Sequence, residues 1–305
     1  MRRLLIIGCG DVGLRLIPLV CLRYRVYALT RDAGQCAALR ALGVTPIIGD
    51  LDQPQSLSAI AGIAHDVVHL APPPSQGVTD ARTAHLIAAL GKRRGKRGKR
   101  TNKNSRISLP QHFVYISTSG VYGDCGGDVV PETRPAHPQT ARAQRRVDAE
   151  RRLRAWGARS GVPVSILRVP GIYAADRLPL ARIERGTPAL VDADDSYVNH
   201  VHADDLARLV IAALNHASPG RAYNAVDDLP QKMGDYFDLV ADRHGLERPP
   251  RVARSEAQRL IPENVLSFMS ESRRLTNKRI KQELRFRLRY PSVHEGIAAP
   301  GKSNA

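Results

Sequence analysis

The stretch "RRLLIIGCGDVG", Arg2–Gly13, decides the fold. Its apolar run Leu4–Ile7 has no alternation, as expected of a strand buried on both faces. Gly8, Gly10 and Gly13 follow at G-x-G-x-x-G spacing, and an amphipathic stretch opens on the last of them. Each glycine has a separate physical task. The first permits a tight turn, the second lets the backbone approach a diphosphate, and the third lets helix and strand pack closely. Asp11 and Val12 then stand in the first helical turn, where backbone N–H groups and the helix dipole favour an anion. In this strand–turn–helix context the motif predicts a dinucleotide-binding loop.

Working outward, short apolar runs alternate with amphipathic stretches. "YRVYALTR", "VTPIIGD", "HDVVHLAP", "QHFVYISTS" and "VPVSILRVPGIY" read as further strands. Helices are expected over "AGQCAALRALG", from Thr79 to Leu90, and from a cap at Thr140 to Ser160. This rhythm predicts an α/β chain, a Rossmann doubly wound parallel sheet, with its ligand at the carboxyl ends of the strands. After Tyr173 the pattern becomes irregular. "HVHADDLARLVIAALNHA" and "KMGDYFDLVADRHG" read as helices and "GRAYNAVDD" as a late strand. We therefore expect a Rossmann domain over 1–172, a smaller C-terminal substrate lobe over 173–298 interleaved with the sheet, and a disordered tail over 299–305.

A formal charge of +17 suggests nucleic acid at first sight. Much of it is local: Lys92–Arg106 carries nine Lys or Arg and no acid, and without it the charge is +8. That stretch lacks apolar and aromatic residues, so a disordered insert is expected, with at most weak, salt-sensitive contact to nucleic acid. No apolar run is long enough to span a bilayer, and the basic N-terminus runs straight into the glycine motif rather than a secretory core. Cys9, Cys21, Cys36 and Cys125 show neither paired nor CxxC spacing. These features predict a cytoplasmic protein with reduced thiols and no membrane partner. A homodimer is compatible with the sequence.

The end of the second strand separates the nicotinamide cofactors. An NAD site wants an acid there for the ribose hydroxyls, whereas this chain has Thr30 and Arg31, which suit a 2′-phosphate. NADP is thus the expected cofactor, with NAD left open by Asp32 one residue later. "GDL" brings Asp50 and Leu51, and "HLAP" brings Leu70 and Ala71, to strand ends that would border adenine and ribose.

With the glycine loop, "GDL", "YISTSGVYGD", "LRVPGIY" and "VNHVHADDLA" in view, the chain resembles the extended short-chain dehydrogenase/reductases, closest to an atypical NAD-dependent epimerase/dehydratase branch. The resemblance covers nearly the whole chain outside the insert and tail. It implies a catalytic hydroxyl at Thr118, four residues before the Tyr of "VYG", and a cofactor contact at Pro170. It also implies Tyr-x-x-x-Lys on the next helix. Counting from Pro138 and back from Glu150 gives one register, and it holds Arg142 and Arg146 instead. Arginine does not exchange a proton at neutral pH, so Arg146 is left to hold ribose or phosphate and Arg142 to anchor an anionic substrate. Asp80, in "TDART", matches the position of an active-site Asp or Asn in that branch; Tyr122 and Tyr173 are phenols nearby by motif position. His200 and His202 would share one strand face, but no third ligand has matching spacing, so packing rather than metal binding is expected.

Two functions follow from this reading. One is an NADP(H)-dependent, epimerase/dehydratase-like oxidoreductase with a degenerate Tyr-x-x-x-Lys site and a small anionic substrate. The other is a non-catalytic NADP-binding sensor or interaction protein.

Overall fold

The computed structural model describes residues 1–91, 109–261, 266 and 269–297. The basic stretch Lys92–Arg106 and the tail 299–305, for which disorder was expected, lie outside the described residues.

β1 (Arg2–Ile7) is flanked on both sides because it has no polar face: Leu4, Leu5, Ile6 and Ile7 are fully buried. It lies parallel to β2 (Tyr24–Thr30) and β4 (Asp66–His69). β3 (Thr45–Ile48) continues the sheet beyond β2. On the other side follow β5 (His112–Thr118), β7 (Val164–Val169) and β12 (Ala222–Asn224). All seven strands are parallel, in the order β3-β2-β1-β4-β5-β7-β12. The order reverses between β1 and β4, which is the switch point at which such sheets open a crevice.

Alternate residues of β1 serve opposite layers. Leu4 and Ile6 pack with Leu16 and Ile17 of α1 (Asp11–Val20) and with Leu206, Leu209 and Val210 of α6 (Ala203–His216). Leu5 and Ile7 pack with Leu86 of α3 (Ala81–Leu90) and with Leu153 and Trp156 of α4 (Ala141–Ser160). α2 (Gln35–Ala41) joins β2 to β3. α4 begins where the Thr140 hydroxyl accepts the Ala143 N–H at 3.2 Å and ends at Gly161, whose φ of 72° suits glycine.

"VPVSILRVPGIY", expected as one strand, is two. Pro170 has no N–H to give the ladder, so β7 stops at Val169 and β8 (Gly171–Tyr173) leaves the sheet to pair with β11 (His200–His202). Small ladders organise the rest. β6 (Val129–Val130) pairs with Arg274–Leu275, β9 (Ala189–Leu190) with Arg251–Val252, and β10 (Tyr197–Val198) with Gln231–Lys232. A second apolar core joins Tyr173, Ile183 of α5 (Leu180–Glu184), and Tyr236, Phe237 and Val240 of α7 (Met233–His244). No helix among the described residues is long and apolar enough to cross a membrane.

Candidate functional site

The glycine loop is built as its spacing demands. Gly8 has φ of +88°, and a Cβ there would lie 2.6 Å from the Ala71 nitrogen. The approach is that close because the N–H groups of Leu70 and Ala71 both donate to the Ile7 carbonyl, at 2.8 and 2.9 Å. At Gly13 a Cβ would stand 3.2 Å from the Gly8 carbonyl oxygen and 3.5 Å from Leu70. At Gly10 it would meet nothing within 4 Å. No side chain caps α1, so the N–H groups of its first turn remain for a ligand, and the space beside Gly10 admits one. Val12 packs against the core beneath. Asp11 faces away from the loop into an ion-pair cluster. Burial alone would raise its pKa, but hydrogen bonds from Arg177 (2.6 Å) and Arg15 (2.9 Å) hold it below the usual carboxylate range. Arg15 also reaches Asp176 and Asp204.

A cleft of about 370 Å³ opens along the carboxyl ends of β1–β4. Gly8, Gly10, Thr30, Arg31, Asp50, Leu51 and Ala71 line it, bringing together most of the residues expected to contact a cofactor. Their roles are unequal. The Thr30 hydroxyl is engaged in its own turn, accepting the Asp32 N–H at 3.1 Å and contacting the Gln35 amide oxygen at 3.1 Å. Arg31 is exposed at the mouth. Asp50 accepts the Asp52 N–H at 2.9 Å, a turn-forming contact. Arg82 lines the cleft as well, and sequence reasoning missed it. Its guanidinium grips Asp52 at 2.6 and 2.8 Å and the Pro72 carbonyl at 3.2 Å, tying the loop after β3 to the loop after β4. Thirty residues separate the two partners, so no local spacing signals the pair.

A second cleft, of about 410 Å³, opens past β5 and β7, on the other side of the switch point. Thr118 and Pro170 line it, with Arg142 facing them from the first turn of α4. The Thr118 hydroxyl accepts the Gly120 N–H at 3.3 Å. Burial holds the Arg142 guanidinium below its ordinary pKa; Glu271 opposes this, and Arg145, Arg146 and Arg273 add to it. Arg146 points elsewhere. It donates to the Ile116 carbonyl at 2.8 Å and the Tyr115 hydroxyl at 3.0 Å, bracing α4 against β5.

Asp80 is not brought to either cleft. It caps α3, accepting the Thr83 N–H at 3.0 Å and the Thr83 hydroxyl at 2.7 Å, with 1% of its surface exposed. Both of its carboxylate oxygens are engaged away from solvent, in the capping role. The two motif phenols are buried too. Tyr122 donates to Asn224 Oδ1 at 2.8 Å and Tyr173 to the Ser292 carbonyl at 2.9 Å.

Two further lining residues, Glu271 and Arg273, were not found from sequence. Glu271 and Arg273 pair at 2.8 Å, in "SESRR", a stretch without motif character. His200 enters from β11 and lies tilted against Tyr236, ring centroids 4.3 Å apart. Burial lowers its pKa to about 4, and its Nδ1 is buried with no hydrogen-bond partner. His202 takes a different role: its Nδ1 accepts the Asp204 N–H at 3.2 Å and its ring stacks on Tyr290 at 3.8 Å.

Comparison with known proteins bears on the whole of this architecture. No curated protein matches the sequence. Among solved structures, a conserved protein of unknown function from Silicibacter pomeroyi is 28% identical, with a TM-score of 0.76 over 97% of this chain and 96% of that one. A dTDP-glucose 4,6-dehydratase double mutant from Streptomyces venezuelae, solved with NAD bound, superposes with a TM-score of 0.74 at 20% identity, over 96% of this chain and 94% of that one. A UDP-glucose 4-epimerase from Thermotoga maritima, solved with UDP-glucose, gives 0.74 at 16% identity, over 96% of each chain. These likenesses establish a shared α/β fold, and the sequence itself carries the lineage. The model of the NAD dependent epimerase/dehydratase family matches residues 5–225, and the chain belongs to that family.

Proposed function

We propose that this chain binds NADP(H) across the two clefts and acts as an oxidoreductase on a small anionic substrate, without a Tyr-x-x-x-Lys pair. The first cleft carries this reading. It has a glycine cradle open at Gly10, and it ends at the exposed Arg31 where an NAD site would offer an acid. Arg31 would meet the 2′-phosphate, and Asp50 and Leu51 would border the adenine. Thr118 would hydrogen-bond the reacting oxygen of the substrate, and Pro170 would contact the nicotinamide. Arg142 would hold the substrate's charge, and Arg146 would add its cationic field beside the ribose. Asp80 would keep only its capping role. When bound, the cofactor supplies hydride transfer.

Titration of nicotinamide fluorescence tests the assignment. NADPH should bind more tightly than NADH. Arg31→Ala should reduce the preference by about 1.5–3 kcal/mol, the worth of a hydrogen bond to a charged group. Equal affinities in the unmodified protein would defeat it.

The second reading, a non-catalytic NADP-binding protein, is favoured by the burial of Tyr122 and Tyr173 and by the bracing bonds of Arg146. NADPH oxidation at 340 nm with a panel of oxo compounds separates the two: tight binding without oxidation of any of them would support the sensor.

A further inference from the structure

The second cleft has two unlike sides. On one, Arg142 and the Glu271–Arg273 pair carry a net positive charge. The first turn of α4 adds its dipole. On the other, Tyr236 and Phe237 form an aromatic wall with His200. The polar groups of that wall are the Tyr236 hydroxyl and the His200 imidazole. His200 is 94% buried by its 6% exposure, and its Nδ1 finds no partner. A buried nitrogen without an acceptor is best left as a bare lone pair, which puts the ring proton on Nε2. A Cβ on Gly171 would lie 3.6 Å from that Nε2; the glycine keeps this edge of the ring uncovered.

Both sides share the cleft with the Thr118 hydroxyl. A Cβ on Gly120 would sit 3.7 Å from Thr118 Oγ1 and 3.9 Å from the Ala143 methyl, so the turn that carries Arg142 packs directly on the Thr118 segment. An anion held by Arg142 would then lie in the same cleft as the Thr118 hydroxyl. In a sugar nucleotide the diphosphate is set apart from the reacting carbon by the width of a sugar ring. From this we infer that the cleft takes a compact hydroxy or oxo acid bearing a flat apolar side chain. Its acid group meets Arg142, its oxygen lies between Thr118 and His200, and its side chain lies on Tyr236. This inference rests on the reading of the second cleft as the substrate side of an NADP(H) site.

Calorimetric titration of the full chain tests it, with and without saturating NADPH, which cannot oxidise a hydroxy acid. Three matched probes are 3-phenyllactate, lactate, which lacks the ring, and 1-phenylpropan-2-ol, which has a methyl in place of the carboxylate. UDP-glucose is the fourth. Phenyllactate should bind at least tenfold more tightly than each of the others. Arg142→Gln should weaken it about tenfold, Arg142→Lys should restore part of that loss, and Tyr236→Ala should bring phenyllactate down to the affinity of lactate. Tighter binding of UDP-glucose, equal binding of the matched probes, no binding of phenyllactate, or indifference to Arg142→Gln would each overturn the inference. Failure of NADPH itself to bind would overturn the cofactor reading instead, and the ranking without cofactor would still judge the acid site.

Discussion

Glu150 and Arg168 form a two-point ion pair between α4 and β7, at 2.8 and 3.1 Å, with both side chains almost wholly buried. Ser117, one residue before Thr118, donates to the same carboxylate at 2.7 Å, and Arg168 lies over the Tyr122 ring at 4.8 Å. Burial alone would lower the Arg168 pKa, and its bonds to Glu150 more than reverse that. The pair braces the strand end that presents the cleft hydroxyl.

Glu150→Gln should therefore destabilise the protein by about 3–5 kcal/mol, because it leaves a buried guanidinium uncompensated. Urea unfolding measures this. A loss below about 1 kcal/mol would mean that the charge finds another partner.

The glycine loop gives a paired prediction. Gly8→Ala forces a methyl group onto the Ala71 backbone at positive φ, so melting temperature and NADPH binding should both fall. Gly10→Ala, at φ −82° and with open space around it, should leave the melting temperature within a few degrees while weakening NADPH at least tenfold. If Gly10→Ala binds NADPH normally, the space beside Gly10 is not the diphosphate site.

Arg146 and Arg152 lie on the same helix with different surroundings. Arg152 pairs with Asp148 at 2.7 Å on the exposed face, whereas Arg146 braces β5. Arg146→Ala should weaken NADPH by about 1.5–3 kcal/mol if its charge reaches the ribose or phosphate, and Arg152→Ala should not change it. Equal behaviour of the two variants in a titration at moderate salt would reduce Arg146 to a structural brace.

Stability should peak near pH 6.5. Burial raises the Asp227 pKa to about 8 from 3.8, so between those values the folded chain keeps a proton that the unfolded chain has lost. Stability then falls as pH rises through that window. Burial lowers His69 to about 3 and His200 to about 4, from 6.5, so the unfolded chain takes up protons below pH 6.5 that the folded chain refuses. Below pH 6.5 these histidines, with His202 shifted the same way by burial, oppose Asp227 and the likewise raised Asp195; above it Asp227 carries the decline. Asp227→Asn should abolish the decline between pH 6.5 and 8, about 1.4 kcal/mol per pH unit. Urea midpoints at three pH values follow this directly, and a variant that declines as steeply as the parent would show Asp227 to be ionised throughout.

The sheet and its glycine loop were legible because each rests on a local rule. An apolar run without alternation needs cover on both faces, and Gly8 must stand where a side chain would strike Ala71. The span of α4 was legible as well, with Thr140 as its cap. Long-range pairings were not. Arg82 with Asp52, and Glu271 and Arg273 beside Arg142, meet only after folding. One signal was present in the sequence: Arg168 is the one charge within the buried run "VSILRV", and a charge in a buried strand requires a partner. At Asp80 one residue type suits both a motif position and a helix cap, and in the fold it caps α3.

The placement of α6 has a consequence for modularity. Leu206, Leu209 and Val210 come from beyond residue 200, yet they cover the same layer as Leu4 and Ile6 of the first strand. β12 likewise closes the sheet beside β7 from the far side of the lobe. A fragment ending near residue 172 would expose an apolar layer and an unpaired strand edge, both of which invite aggregation. The cofactor half is thus no exchangeable cassette. Gene fusion, split-protein reporters and domain transplantation would have to carry the chain through Asn224 to inherit the complete sheet.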